Sequence, residues 1–173
     1  MLYIRHAQKA YSNGAAKQFS LDPPLTEDGK AAAKLRFTEL LERFGPPDRI
    51  IASPYLRARE TAQIAADVIL ESTGRVVTIT HNPSIGEYLG HHHKCNPDTD
   101  LHPETCIHDP IPPETWGQYS VRIRKYVNSD SESGWYISHG VVIQSIAFFH
   151  GTKIQYPSEL HGIYIDGSHL ITV

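Results

Sequence analysis

Cysteine is scarce in this chain: two among 173 residues, Cys95 and Cys106, both in one loop-like segment. Two cysteines with no secretion signal make no disulfide framework, so the chain reads as reduced and cytoplasmic, with a core held by apolar contacts. The apolar stretch at residues 1–4 is cut off at once by Arg5-His6, far short of a signal-peptide core. No stretch approaches the roughly 20 apolar residues of a membrane span. A basic excess is missing too. Lys and Arg total 16 against 19 Asp and Glu, a formal charge of -3, with no run of cations. That balance excludes a broad nucleic-acid footprint. An anionic substrate must be held by a local cluster of arginines, because the field of the whole molecule does not favour it. Internal repeats and low-complexity tracts are absent. The length suits one domain with a substantial core, so residues 1–173 are expected to form a single unit.

Strand and helix signals alternate along the chain. Residues 2–4 make a short apolar strand that delivers Arg5-His6 at its end. A stretch rich in Ser, Asn, Gly and Pro follows over 11–24. A helix is predicted over 27–44, with Thr26 as N-cap, acidic first turn and an apolar face of Ala31, Leu35, Leu40 and Leu41. Gly45-Pro46-Pro47 stops it. A strand at 48–52 leads through Ser53-Pro54, with Pro54 suited to a first helical turn, into a helix carrying Tyr55, Ala58, Ala62, Ala65, Ala66 and Ile69. Residues 76–80 read as a third strand. Residues 82–113 have little periodicity and read as a cap-like excursion. A helix at 116–127, a strand at 135–138 ending in His139-Gly140, a helix at 141–149 and two short strands around Asp166-Gly167 complete the series. This alternation predicts a three-layer α/β/α sandwich with a mostly parallel central sheet. Such sheets place ligands at the carboxyl ends of their strands, where Arg5-His6, Ser53 and His139 all fall.

Four motifs in register carry a resemblance. Arg5-His6-Ala7-Gln8-Lys9, Asp22-Pro23-Pro24-Leu25-Thr26-Glu27-Asp28-Gly29, Ser53-Pro54-Tyr55-Leu56-Arg57-Ala58-Arg59-Glu60-Thr61-Ala62 and Ser138-His139-Gly140-Val141-Val142-Ile143 resemble the histidine phosphatase superfamily, the phosphoglycerate-mutase-like group. The resemblance spans nearly the whole chain and fades at about 88–113. It implies a phosphomonoester hydrolase with no cofactor and no metal at the site. His6 is then the nucleophile that forms a covalent phosphohistidine, since a neutral imidazole is available near neutral pH. Arg5 and Arg57 bind the transferred phosphoryl group with guanidinium forks, Arg59 being the competitor for the second role. His139 is the second histidine, donating to a phosphoryl oxygen, with the Gly140 amide beside it at a helix start. Glu87 is the candidate general acid that protonates the leaving oxygen and then activates water. Departures exist. Ala7 stands where many members have glycine, and Lys9 and Ala10 replace small polar residues. Asn13, the candidate for a further phosphate contact, lies one position beyond the usual asparagine, and Ser12 is its substitute.

Eleven histidines stand out, with His91-His92-His93-Lys94-Cys95, His102 and Cys106-Ile107-His108 grouped in the excursion. Their spacing matches no standard zinc finger or ribbon. A solvated rim, a lining of the substrate mouth and a metal site that His81 could join are the competing readings. Two other functions also stay open: a phosphoglycerate-mutase-type phosphotransferase, and a non-catalytic phosphate- or metal-binding protein on the same fold. Mutases of the family are longer, which favours hydrolysis. The substrate is expected to be a phosphorylated small molecule or a phosphoprotein, with no nucleic acid and no membrane involved.

Overall fold

The strands sort their side chains between two apolar layers. The computed structural model describes residues 1–10, 22–88, 114–129 and 133–173. In β1 (Leu2–Arg5), β2 (Arg49–Ala52) and β4 (Trp135–Ser138), alternate residues face opposite ways. Leu2, Ile4, Ile50, Ala52, Trp135 and Ile137 join one cluster, and Tyr3, Ile51 and Tyr136 join the other. This period of two, apolar on both faces, marks strands covered on both sides.

The first layer is built by α1 (Glu27–Phe44) and α2 (Leu56–Thr73), the second by α3 (Trp116–Ser129) and α4 (Gly140–Phe149). Between them lies a six-stranded sheet of order β3-β2-β4-β1-β5-β6, with β3 at Thr78–His81, β5 at Gly162–Asp166 and β6 at His169–Thr172. The first four strands are parallel; β5 and β6 are antiparallel to their neighbours. The chain therefore has the α/β/α architecture expected, with a mostly parallel sheet. At Gly162 β5 comes so close to β1 that an added Cβ would lie 1.7 Å from the Tyr3 carbonyl oxygen, so this position admits only glycine.

Three local expectations need correction. Thr26 does cap α1, accepting from the Gly29 amide at 2.9 Å. The buried stripe of α1, however, is Gly29, Ala33, Phe37, Leu40 and Leu41, while Ala31 is exposed and Leu35 is 71% exposed. Phe37 turns the helix this way by stacking on Trp135 at 5.9 Å. The second helix starts at Leu56 with Tyr55 as N-cap, so Pro54 lies just outside its first turn. The third strand begins two residues late, at Thr78, because its partner β2 begins at Arg49, which pairs with Thr78. Within 82–113, residues 82–88 are described. They contain a short 3-10 helix, Pro83–Ile85, whose Ile85 is buried in the second cluster.

The order of the sheet sets the position of the site. β1 and β4 are adjacent and parallel, yet the helix after β1 joins the first layer and the helix after β4 joins the second. Helices that leave in opposite directions open a crevice between the two strand ends.

Candidate active site

The ladder hydrogen bonds continue one residue past the strands. His6 N–H donates to the Ser138 carbonyl, Ser53 N–H to Ile137 and Asn82 N–H to Ala52, each at 2.9 Å. With Arg5 paired to Ser138, this row brings His6 and His139 together over the crevice, their ring centroids 5.2 Å apart and edge to face. Both are buried: His6 is 2% exposed and His139 0%.

Their hydrogen bonds select tautomers. His6 Nδ1 lies 2.7 Å from the Ala7 carbonyl oxygen, which can only accept. Nδ1 therefore carries the hydrogen, and Nε2 keeps its lone pair. His139 Nε2 lies 2.8 Å from the Ser53 hydroxyl. That hydroxyl accepts from the Tyr55 amide at 3.5 Å, and the imidazole is the acceptor for its hydrogen among the described residues. The hydrogen of His139 then sits on Nδ1, which lies 3.5 Å from Glu87 Oε2.

Cations surround the two rings. Arg57 is 1% exposed on the first turn of α2, where it donates through Nη1 to Asp22 Oδ1 at 3.2 Å and through Nη2 to Glu87 Oε2. Its guanidinium lies over the Tyr55 ring at 4.5 Å. Asp22 also accepts from the Leu56 amide, tying it to the start of α2. Arg5 donates from Nη1 to the Pro157 carbonyl at 3.0 Å, and its guanidinium lies 5.0 Å from the Tyr156 ring. The same ring covers Gly140, where an added Cβ would meet it at 2.3 Å. The residue that opens α4 must therefore be small if Tyr156 is to reach Arg5. Thr61 links the halves of the site, accepting from Ala7 N–H at 3.1 Å and donating to the Arg57 carbonyl at 2.7 Å.

Among the described residues, three buried side-chain nitrogens have no hydrogen-bond partner: Arg5 Nε, Arg57 Nε and His139 Nδ1. All three belong to this site. Donors left in this way are costly unless something that accepts from them is bound.

Burial, seconded by the Arg57 guanidinium, pushes the His6 imidazole down to about 3, against a weaker opposing pull from its bond to Ala7. Burial and then Arg57 hold His139 well below the ordinary imidazole range. Both rings are thus neutral near pH 7. Unfolding would return them to water, where they protonate near 6.5. Between that value and the folded value of about 3 for His6, the unfolded state binds more protons, so folding stability falls as pH drops through this window. Above the window these groups contribute no slope. The urea midpoint is expected to fall between about pH 7 and about pH 5, and to fall less in a variant carrying His6→Asn and His139→Asn. An equal fall in that variant would remove the two imidazoles as the cause.

Of the residues singled out in the sequence, the structure brings together Arg5, His6, Arg57, Glu87, His139 and Gly140. Arg59 points elsewhere and is exposed. Asn13 and the His- and Cys-bearing segment 91–108 lie outside the described residues, and His81 is exposed on β3. No group of three or more His, Cys, Asp or Glu among the described residues is arranged to hold a metal ion. No helix among them is long and apolar enough to cross a membrane. Sequence reasoning missed the supporting residues Asp22, Tyr55, Thr61 and Tyr156. It also missed Lys9, whose half-buried amine is pushed down by burial and feels Glu87, Arg57 and Arg5. Ser53 stood at a strand end, a signal that could have marked it as a partner for His139.

Comparison with known proteins gives one family. The model of the histidine phosphatase superfamily (branch 1) matches residues 1–161. No curated protein matches the chain by sequence. Several solved structures share the fold. TTHB049 from Thermus thermophilus is 19% identical, with a TM-score of 0.64, covering 95% of this chain and 92% of its own. The ecdysone phosphate phosphatase of Bombix mori, solved with tungstate, is 18% identical, with a TM-score of 0.63 and coverage of 99% and 90%. The protein histidine phosphatase SixA, also solved with tungstate, is 17% identical, with a TM-score of 0.55 and coverage of 99% and 92%.

Proposed function

The chain belongs to the histidine phosphatase superfamily (branch 1), and from that membership we propose that it hydrolyses phosphomonoesters through a phosphohistidine on His6. The observation that carries this reading is the set of three unpartnered donors, on Arg5, Arg57 and His139, gathered around a histidine whose Nε2 retains its lone pair. A phosphoryl group offers three oxygens, each able to accept from such donors, and its charge suits two guanidinium groups.

In the first step Nε2 of His6 attacks phosphorus. The N–P bond forms as the bond to the leaving oxygen breaks, and Glu87, protonated, gives its hydrogen to that oxygen. In the second step the Glu87 carboxylate takes a proton from water, whose oxygen attacks phosphorus. The N–P bond then breaks, returning His6 and releasing phosphate. Arg5, Arg57 and the His139 Nδ1 hydrogen face the equatorial oxygens, and the Gly140 amide at the start of α4 adds a backbone donor. The contacts of Glu87 with Arg57 and His139 set its carboxyl beside the two groups assigned to the phosphoryl oxygens. Tungstate, a tetrahedral oxyanion, accompanies two of the structurally similar phosphatases.

The substrate follows from chemistry only as far as a phosphorylated small molecule or a phosphoprotein. A screen of phosphomonoesters with EDTA present tests the reading. Phosphate release with a phosphoenzyme that is labile to acid and stable to base is the expected result. Failure on every substrate, aryl phosphates included, would overturn it. So would isomerisation of a phosphoglycerate that outruns phosphate release, since that is the behaviour of a mutase.

A further inference from the structure

We infer that Arg122, on α3, is a positioning residue that holds Glu87 in place for proton transfer; this rests on the acid role given to Glu87 above. Arg122 Nη1 donates to three carbonyls of the turn just before Glu87: Pro83 at 3.2 Å, Ser84 at 2.7 Å and Gly86 at 3.2 Å. The remaining carbonyl of that turn, Ile85, accepts from the Ser138 hydroxyl at 2.7 Å. Four successive carbonyls are therefore held by side chains, three of them by one guanidinium. At the other side of the fork, Nε donates to Glu114 Oε2 at 3.0 Å and Nη2 donates to Glu114 Oε1. The pair is largely shielded, with Arg122 18% and Glu114 12% exposed.

The residue after Glu87 is held by the same helix. The Tyr88 ring meets Tyr119 at 5.1 Å and Trp116 at 5.2 Å, and the Arg122 guanidinium lies 5.1 Å from the Tyr119 ring. Trp116, Tyr119 and Arg122 follow one another at helical spacing, so a single face of α3 grips both neighbours of Glu87. The side chain between them is free to reach Arg57 and His139 while its backbone is fixed. A planar group with five donors can serve a carboxylate and a turn of carbonyls together; an ammonium cannot. Two segments about 30 residues apart in sequence, at 83–86 and at Glu114, thereby meet on one side chain.

The test uses the dependence on the leaving group. An alkyl phosphate needs a proton from the acid as its oxygen departs, whereas an activated aryl phosphate departs as a phenolate with little help. kcat/KM reports this first transfer alone. Glu87→Gln is expected to lower kcat/KM for the alkyl substrate far more than for the aryl one. Arg122→Gln should show the same ordering, about tenfold or more on the alkyl phosphate against less than about threefold on the aryl. Arg122→Lys keeps the stem and charge, and should fall between Arg122→Gln and the parent enzyme. It also carries the test if Arg122→Gln does not fold. Equal losses on both substrates, or none, in a folded Arg122 variant overturn the inference when Glu87→Gln does discriminate. If Glu87→Gln is itself indifferent to the leaving group, the acid role falls and the inference falls with it.

Discussion

His6→Ala is expected to lower hydrolysis of any phosphomonoester by about 10⁴-fold or more and to abolish the proposed phosphoenzyme. The loss is this large because no neighbour can replace the nucleophile. The adjacent His139 has its Nε2 occupied by the Ser53 hydroxyl and a hydrogen on Nδ1, so it offers no lone pair to phosphorus. What remains is direct attack by water on a substrate still gripped by the arginines. Binding of inorganic phosphate should accordingly stay within about threefold of the parent, since Arg5 and Arg57 are untouched. The fold should also survive. The backbone of residue 6 keeps its bond to Ser138, and the imidazole that alanine removes bonds, among the described residues, only to the carbonyl of its neighbour Ala7. Rapid quenching for acid-labile phosphate and phosphate-binding calorimetry separate the two effects. Activity within about tenfold of the parent, or a phosphoenzyme that persists, would take the nucleophilic role from His6.

Arg57→Lys costs about 10²–10³-fold in kcat/KM, with smaller harm to stability. The lysine keeps a positive charge between Asp22 and Glu87 but loses the fork that meets both and faces the phosphoryl group. Arg57→Ala is a poorer probe because it leaves two carboxylates without their shared cation. Breaking a buried pair costs about 3–5 kcal/mol. The low end applies here because Asp22 and Glu87 remain 20% and 21% exposed and water takes up part of the loss. Arg59→Lys serves as the control and should change kcat/KM by less than about twofold, since the side chain is exposed and outside the site. If the Arg59 variant lost more than the Arg57 variant, the assignment of the two arginines would be reversed.

The parts of the site that lie at strand ends were readable in advance. Short apolar runs ending in His6 and His139 point to a parallel sheet, and a parallel sheet concentrates chemistry at those ends. The resemblance favours Arg57 over Arg59, but both sit in one helix, and in physical terms only the direction of its buried face separates them. That direction is hard to read from composition. In α1 the expected face included Leu35, which turned out to be exposed, while Ala33 and Phe37 took the buried side. Phe37 won because Trp135 lies across from it in the sheet, a contact between distant parts of the chain. Residues that serve backbone groups were the least visible. Arg122 binds carbonyls, which have no signature in the sequence, and Asp22 meets Arg57 across 35 residues. Such ties come from tertiary geometry and show no local period.

The position of β1 in the sheet also bears on how the protein is made. Among the described strands, β1 pairs with β4 and β5 and with no others, and both belong to the last quarter of the chain. β2 and β3 can pair as soon as the helix between them exists. During synthesis β1 must therefore wait with Leu2, Tyr3 and Ile4 unpaired by β4 until more than 130 residues have followed. Contacts of such sequence separation carry a large loop-closure cost and form late. His6 acquires its place beside Ser138 only when β4 arrives, so assembly of the candidate site waits on the joining of β1 to β4.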